Sequence, residues 1–242
     1  MSAGTLYTLG LGPGDPELVT LKAARVLGAV PVIAYFAKRG RAGHARTIAG
    51  AHLRPGTEEL RFEYPFTTEI PVDDPRYATG IAQFYEHCAE RLAEWLGAGR
   101  DVALLCEGDP FFYGSSMYLF DRLRDEYPHE VVPGVTAMSG CWTRAHTPVV
   151  HGDDILTVLP GTLEAGRMAD GLAGCDAAVI MKVGRNLPKI RAVLAKTGLA
   201  DRALYVERGT MTGERILKLS EHDGSPAPYF ALILVPGRQR TR

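Results

Sequence analysis

The chain contains 242 residues, 46% of them hydrophobic, and carries a formal net charge of -1. This length allows one large α/β domain or two smaller ones, and the apolar content is sufficient for a real core. A charge near zero excludes the general positive field that non-specific nucleic-acid binding needs. The cysteines are widely spaced, with no C-x-x-C pair, which predicts buried thiols in a reducing compartment and no structural metal site: Cys88, Cys106, Cys141 and Cys175.

The first residues lead directly into a strand, without the charged start and apolar segment of a secretory signal. No apolar run approaches the roughly 18 residues that a membrane span requires. We therefore expect a soluble, cytoplasmic protein without a membrane partner.

The first predicted elements are a short strand at Thr5 to Leu9, a glycine-rich loop at 10–16, and a helical pattern from 17 to 28. A dinucleotide fingerprint would need a third glycine where Asp15 stands, and Pro13 lacks an amide for a pyrophosphate. Residues 19–57 contain no Asp or Glu, so the acidic residue that binds the ribose in dinucleotide sites is absent. Dinucleotide binding is therefore not predicted, and the common Rossmann-like methyltransferases are also disfavoured. A tight connection remains the alternative to a ligand loop.

A second apolar strand at Pro31 to Phe36 opens into a segment, 37–46, that is rich in cations and predicted to be flexible. Across 19–57 there are Lys and Arg residues but no Asp or Glu, so this part of the chain should present a positive surface. Either it is a solvated face or it meets an anionic substrate with several carboxylates.

The stretch from Arg61 to Pro75 is interpreted as a mixed, proline-broken connection. A long amphipathic helix follows from Tyr77 to Gly97, with the apolar stripe of a helix that covers a sheet.

A buried parallel strand is predicted at Val102 to Cys106, and Gly108-Asp109-Pro110 follows it. Gly108 permits a tight turn and a close approach of the backbone to a ligand. Ligands of open α/β sheets bind at the carboxyl ends of strands, where the Asp109 carboxylate could accept hydrogen bonds. An ordinary turn is the alternative, but the two Gly-Asp-Pro loops in one half of the chain favour a ligand site.

A helix is predicted at Met117 to Asp125, and the residues at 127–129 break it. The domain boundary is predicted at this break, which gives domains 1–126 and 127–242. The second domain begins with a strand near Val131 that runs into a small-residue helix start, where Thr136 could cap the helix or bind a ligand. Later apolar runs supply further strands, and helices are predicted around Leu163 to Leu172 and Leu187 to Lys196. Arg215 to Leu219 alternates polar and apolar residues, which indicates an antiparallel strand. The predicted fold is α/β, with two αβα domains, the first sheet mostly parallel and the second mixed.

These motifs, taken together and in order, resemble the tetrapyrrole methylases, the class III S-adenosylmethionine-dependent methyltransferases. The resemblance runs from end to end and is carried by Gly10-x-Gly-Pro-Gly-Asp-Pro, Gly-Asp-Pro-Phe-Phe-Tyr-Gly at 108–114, Val132-Pro-Gly-Val-Thr-Ala, the strand with Met181, and Gly209-Thr210. It implies an active site in the cleft between the domains, a homodimer, S-adenosylmethionine as donor with S-adenosylhomocysteine as product, and no metal. The positions that match the family's cofactor contacts, with their neighbours, are Pro13, Glu107, Gly108, Asp109, Phe112, Tyr113, Thr136, Ala137, Met181, Gly209 and Thr210.

Within the family, the segments 34–38, 62–95 and 106–115 look most like the branch that methylates C-20 of precorrin-2 in cobalamin biosynthesis. Uroporphyrinogen-III methylases are similar but carry an Asp, thought to handle protons, where this chain has Tyr35-Phe36. The alternative members of the family are the uroporphyrinogen-III methylases and the methylases that act on C-20 of cobalt-precorrin-2. Tyr35 is the one candidate for a catalytic role, and no general base is identified. The predicted substrate contacts, in the N-terminal trough, are Lys38, Arg39 and Arg41.

Two other classes of function stay open at this stage. A ribosomal-RNA methyltransferase shares the fold, but the near-zero charge argues against a nucleic-acid partner. A cofactor-binding sensor without turnover is the other.

Overall fold

The computed structural model describes residues 2–66 and 74–237, which form two compact units. The first unit extends through Ala137, and the second begins at Met138. Within the described ranges, no helix has the length and apolarity needed to cross a bilayer.

The first unit contains one parallel sheet of five strands in the order β3-β2-β4-β1-β5. The strands are β1 (Leu6–Gly10), β2 (Val32–Lys38), β3 (Glu58–Tyr64), β4 (Val102–Cys106) and β5 (His129–Val132). Every residue of β4 is buried, because helices cover both faces of the sheet and water reaches neither side. The first unit is therefore an αβα domain, as predicted.

In the described part of this unit, four α-helices pack on the sheet: α1 (Leu21–Leu27), α2 (His44–Ala49), α3 (Pro75–Gly97) and α4 (Ser116–Leu123). The apolar residues of α3 and α4 pack with Leu6 and Leu104 on one face. Those of α1 and α2 pack with Leu9 and Ile33 on the other. The helix predicted at 17–28 begins later, at Leu21. Pro16–Leu18 forms a 3₁₀ turn instead, and the Thr20 hydroxyl caps α1 by accepting from the Ala23 amide.

The second unit has a mixed sheet in the order β6-β7-β10-β8-β9, with β6 and β7 parallel and the other pairs antiparallel. Its strands are β6 (Leu156–Pro160), β7 (Ala177–Met181), β8 (Leu204–Glu207), β9 (Arg215–Lys218) and β10 (Ala231–Val235). Its helices are α5 (Ala137–Arg144), α6 (Ala165–Leu172) and α7 (Leu187–Lys196). The first residue of α5, Ala137, is the last residue of the first unit. α6 and α7 cover one face and α5 the other, so this unit is also αβα, with the predicted antiparallel strand as β9.

The domain boundary lies eleven residues later than predicted, after Ala137 and not after residue 126. The reason is β5, which the sequence pattern assigned to the second domain. It pairs in parallel with β1, with Thr8 opposite Val131, and so completes the first sheet.

Two elements were missed in the first unit. The segment that was interpreted as a connection from Arg61 begins inside β3, an edge strand. In β3, Leu60 and Phe62 are buried, while Arg61 between them is exposed. The supposed flexible segment 37–46 contains the end of β2 and the start of α2. Part of the predicted connection, residues 67–73, lies outside the described residues.

The prediction of buried thiols is confirmed for three of the four cysteines, while Cys175 is only partly buried; all four are free. Burial raises the pKa of the Cys88, Cys106 and Cys141 thiols to about 12. They are therefore protonated at neutral pH and pack as small apolar groups.

Candidate functional site

The two Gly-Asp-Pro loops of the first unit are joined through their backbones. β1 and β4 are parallel neighbours, so the loops that follow them leave the same edge of the sheet. The Gly108 amide donates to the Gly12 carbonyl at 2.8 Å, and the Gly12 amide donates to the Gly108 carbonyl at 3.3 Å. The motifs that looked separate in sequence form one structure at the edge where α/β sheets bind ligands.

Three glycines make a close junction where the loops after β1, β4 and β5 meet. A Cβ on Gly134 would lie 2.1 Å from the Gly108 carbonyl oxygen, and a Cβ on Gly10 would lie 2.5 Å from the Gly134 nitrogen. Gly108 also has φ +68°. We call Gly10, Gly108 and Gly134 the glycine junction. It holds three backbones at distances that a side chain on Gly10 or Gly134 would not permit.

The Asp109 carboxylate connects the second loop to the third. One oxygen, Oδ1, accepts from the Phe111 amide at 2.9 Å, and Oδ2 accepts from the Gly134 amide at 3.1 Å. Asp15 makes the first of these contacts in its own loop, accepting from Glu17 at 2.9 Å. The repeated Asp-Pro pair is thus the same turn used twice, and Asp109 has the additional task of fixing Gly134. Its remaining lone pairs can still accept from a ligand.

The Glu107 carboxylate is directed to helix α2. Its Oε1 accepts from the Ala45 amide in the first turn of α2 at 3.0 Å. Burial raises the pKa of this carboxyl group, although the hydrogen bond from Ala45 and the nearby His44 act in the opposite direction. Glu107 was predicted as a cofactor contact. In the structure its carboxylate is bonded to the start of α2.

The other predicted cofactor residues of the first unit lie around this junction. Pro13 is buried beside Gly12 in the first loop, and Phe112 and Tyr113 form an edge-to-face pair with ring centroids 5.0 Å apart. Thr136 precedes α5, and a Cβ on Gly108 would lie 3.6 Å from the Ala137 nitrogen.

The predicted residues of the second unit lie at strand ends. Met181 ends β7 and is partly buried. Gly209 follows β8, where a Cβ would lie 2.6 Å from the Cys141 sulfur of α5. The Thr210 hydroxyl oxygen is buried and has no hydrogen-bond partner among the described residues. A buried hydroxyl without a partner is costly, which makes Thr210 a candidate ligand contact.

Left-handed backbone conformations concentrate at these positions. Among the described non-glycine residues, positive φ occurs at Tyr113 (59°), Lys182 (55°), Arg208 (50°) and Thr210 (69°), and otherwise only at His146. Each of the first four is a predicted cofactor residue or the immediate neighbour of one. Strained conformations of this kind persist at ligand sites, where the surrounding structure holds them. No sequence signal could have identified this pattern.

The predicted substrate cations are exposed, and one of them, Arg39, lies near an acidic residue of β3. Lys38, Arg39 and Arg41 are all exposed. Arg39 is 3.9 Å from Glu63, while Arg61 pairs with the same carboxylate at 2.7 Å and donates to the Arg41 carbonyl at 2.9 Å. The positive surface predicted from the acid-free segment is thus partly neutralised by a strand that the sequence pattern missed.

Tyr35, the catalytic candidate, is buried at 6% exposure. Its hydroxyl donates to Glu59 at 3.0 Å, and Arg46 pairs with Glu59 at 2.8 Å. Burial and the Glu59 hydrogen bond raise the pKa of this phenol, which is the wrong direction for a general base at neutral pH. These contacts give Tyr35 a structural role between β2 and β3.

An aromatic and hydroxyl cluster at the same sheet edge was not predicted. The Tyr64 hydroxyl, at the end of β3, donates to Ser115 at 2.7 Å, and the Tyr64 ring stacks on Phe36 at 5.3 Å. Tyr85 stacks on Tyr118 at 4.6 Å. The alternation of Leu60 and Phe62 with charged residues was the available signal for β3, and hence for the position of Tyr64.

Comparison with known proteins settles the family. A family model described as "Tetrapyrrole (Corrin/Porphyrin) Methylases" matches residues 5–223. This chain belongs to the tetrapyrrole methylases.

Curated and solved relatives of this tetrapyrrole methylase agree with the assignment. A precorrin-2 C(20)-methyltransferase of Sinorhizobium sp is 54% identical over 237 residues, which cover 98% of this chain and 97% of the relative. A cobalt-precorrin-2 C(20)-methyltransferase of Salmonella typhimurium is 33% identical over 237 residues, covering 96% of each chain. The structure of a uroporphyrin-III C-methyl transferase from Thermus thermophilus, complexed with S-adenyl homocysteine, superposes with a TM-score of 0.68 at 27% identity, covering 96% of this chain and 92% of that one.

Proposed function

We propose that this tetrapyrrole methylase transfers the methyl group of S-adenosylmethionine to C-20 of precorrin-2, giving precorrin-3A and S-adenosylhomocysteine in cobalamin biosynthesis. The observation that carries the proposal is the 54% identity, over nearly the whole of both chains, with a relative named for methylation at that carbon. The lower identity, 33%, to the relative that acts on cobalt-precorrin-2 favours the metal-free substrate. A cytoplasmic homodimer belongs to the same proposal.

The donor is proposed to contact the loops around the glycine junction and the strand ends of the second unit. Two observations support this placement. The junction holds the loops after β1, β4 and β5 close together, and these loops carry the predicted donor contacts of the first unit. Thr210 supplies a buried hydroxyl that no described residue satisfies. The residues assigned to the donor are those predicted from the family motifs, with Asp109 and Glu107 acting partly through the loops they hold.

The proposed chemistry is an in-line displacement, in which the nucleophilic meso carbon attacks the methyl group. S-adenosylmethionine supplies an electrophilic methyl group: its C–S bond to that group breaks, S-adenosylhomocysteine leaves as a neutral thioether, and the methylated meso carbon releases its proton. The residues of this chain bind and align the two substrates, and correct alignment accounts for much of the rate in such reactions. Charge disperses in the transition state, so contacts from apolar residues such as Phe112 are compatible with it.

The exposed cations Lys38, Arg39 and Arg41, which we call the cationic loop, are proposed to bind the propionate and acetate side chains of the tetrapyrrole. We expect a triple Lys38→Gln, Arg39→Gln, Arg41→Gln variant to raise the KM for precorrin-2 by about tenfold, because exposed charge pairs contribute about 0.2–1 kcal/mol each. The KM for the donor should change little. Steady-state kinetics at two salt concentrations will measure this, since added salt should reproduce part of the effect.

A matched control for that variant neutralises three exposed cations of the second unit, Arg167, Lys196 and Lys218. Its KM for precorrin-2 should equal that of the parent. Equal kinetics for both triple variants would assign the cationic loop to a solvated face.

The reaction itself is tested by the position of the transferred carbon. The purified protein is incubated with precorrin-2 and methyl-labelled donor, and carbon NMR locates the label. One new methyl group on C-20 is the expected product. A label on a pyrrole carbon would retain the family and reject this regiochemistry. Transfer only to uroporphyrinogen III, or only to cobalt-precorrin-2, would reassign the substrate.

A further inference from the structure

The loop after β8 carries an arrangement that the family motifs do not explain. Arg208 and Thr210 both have left-handed backbones, and Gly209 between them packs directly on Cys141 of α5. Such a loop costs on the order of 1–3 kcal/mol for each strained non-glycine residue, so neighbouring contacts must hold it.

The contact that holds it is the carboxylate of Glu214. The Thr210 amide donates to Glu214 Oε2 at 2.8 Å. Because this amide belongs to the left-handed residue itself, the hydrogen bond fixes the direction in which the Thr210 side chain leaves the backbone. Glu214 is 19% exposed, so water competes little for the carboxylate.

Glu214 is in turn fixed by Arg144, in the last turn of α5. The Arg144 guanidinium donates from Nε to both carboxylate oxygens, at 3.0 and 2.9 Å, and from Nη2 to Oε1 at 2.8 Å. This forked geometry orients a carboxylate better than a single contact does. The hydrogen bonds from Arg144 hold the pKa of Glu214 below its usual range, so the carboxylate is ionised at neutral pH.

We propose that Glu214 and Arg144 are positioning residues for the methyl donor. They hold the strained loop against α5 so that the Thr210 hydroxyl is presented to the donor. This inference rests on the proposed function, because the donor is the ligand that Thr210 would meet. Neither residue belongs to the family motifs.

The test measures the affinity for S-adenosylhomocysteine by calorimetry and the KM for each substrate. Glu214→Ala removes both contacts and should weaken binding by about tenfold or more, since one oriented hydrogen bond to a charged group is at stake. Glu214→Gln keeps an oxygen for the Thr210 amide and should restore most of the affinity. The KM for the tetrapyrrole should stay near the parent value in both variants.

Glu86→Ala is the control for loss of an ion pair between a Glu and an Arg, because Glu86 pairs with Arg122 at 3.1 Å in the first unit, away from the predicted contacts. It should leave donor affinity unchanged even if it lowers the melting temperature. Parent-like affinity in folded Glu214→Ala, or equal losses in the Ala and Gln variants, would overturn the proposal. Failure of the parent protein to bind S-adenosylhomocysteine would instead reject the proposed function.

Combining Arg144→Met with Glu214→Ala gives an independent readout. If the pair acts through one loop, the double variant should bind no more weakly than the worse single variant. Fully additive losses would mean that the two residues act separately, which contradicts the proposal.

Discussion

Gly134→Ala should abolish measurable binding of S-adenosylhomocysteine. The new Cβ would lie 2.1 Å from the Gly108 carbonyl oxygen and 2.8 Å from backbone atoms of Gly10. These atoms belong to main chain that is fixed by strand pairing, so no flexible side chain can move away. The loops must separate, and the predicted donor contacts separate with them. We expect at least about a 100-fold loss of affinity, which corresponds to roughly 2.7 kcal/mol, by calorimetry.

The matched control is Gly166→Ala in α6, where a Cβ would meet nothing within 4 Å. This change should leave binding unaltered and should stabilise the helix by about 0.5–1 kcal/mol. Circular dichroism will establish whether each variant is folded. A folded Gly134→Ala protein with parent-like affinity would show that the glycine junction is not part of the donor site.

Asp109→Asn should weaken donor binding more than an isosteric change normally does. The Asn oxygen can still accept from Phe111, so the local turn survives. The amide nitrogen then faces the Gly134 amide, and two donors replace the hydrogen bond that joins the second and third loops. Leaving a partly buried donor unsatisfied costs about 1–3 kcal/mol, so affinity for S-adenosylhomocysteine should fall by about tenfold to 100-fold.

The same substitution at Asp223 controls for the turn alone. Asp223 accepts from the Ser225 amide at 3.0 Å in an exposed loop of the second unit. Asp223→Asn should therefore bind the donor like the parent. If Asp109→Asn also binds like the parent, the link from Asp109 to Gly134 has no influence on the donor site, and calorimetry on Asp109→Ala would then separate the turn from the link.

Local patterns in the sequence identified most of the elements correctly. β4 coincides with the predicted strand at Val102–Cys106, and α7 with the predicted helix at Leu187–Lys196. Both depend on hydrophobic periodicity and on turn residues at their ends, which act over a few positions. β3 was missed because its polar half and the proline after it resemble a connection.

The role of each candidate residue depended more on long-range contacts. Asp109 was correctly placed at the carboxyl end of a strand, but its partner Gly134 lies 25 positions away in the chain. Glu107 and Ala45 are 62 positions apart. The Tyr35 hydroxyl donates to Glu59, which comes from a strand whose pairing was not foreseen.

The sequence by itself determined the family, the two α/β units and the loops that carry the candidate donor site. Glycine, proline and aspartate at fixed spacing restrict the backbone locally, and an ordered set of such motifs leaves little freedom for another fold. Only the tertiary structure decided that β5 belongs to the first sheet, that three glycines meet, and that Glu214 holds Thr210. Strand order and side-chain partners across many residues arise from packing of the whole unit, which no local pattern encodes.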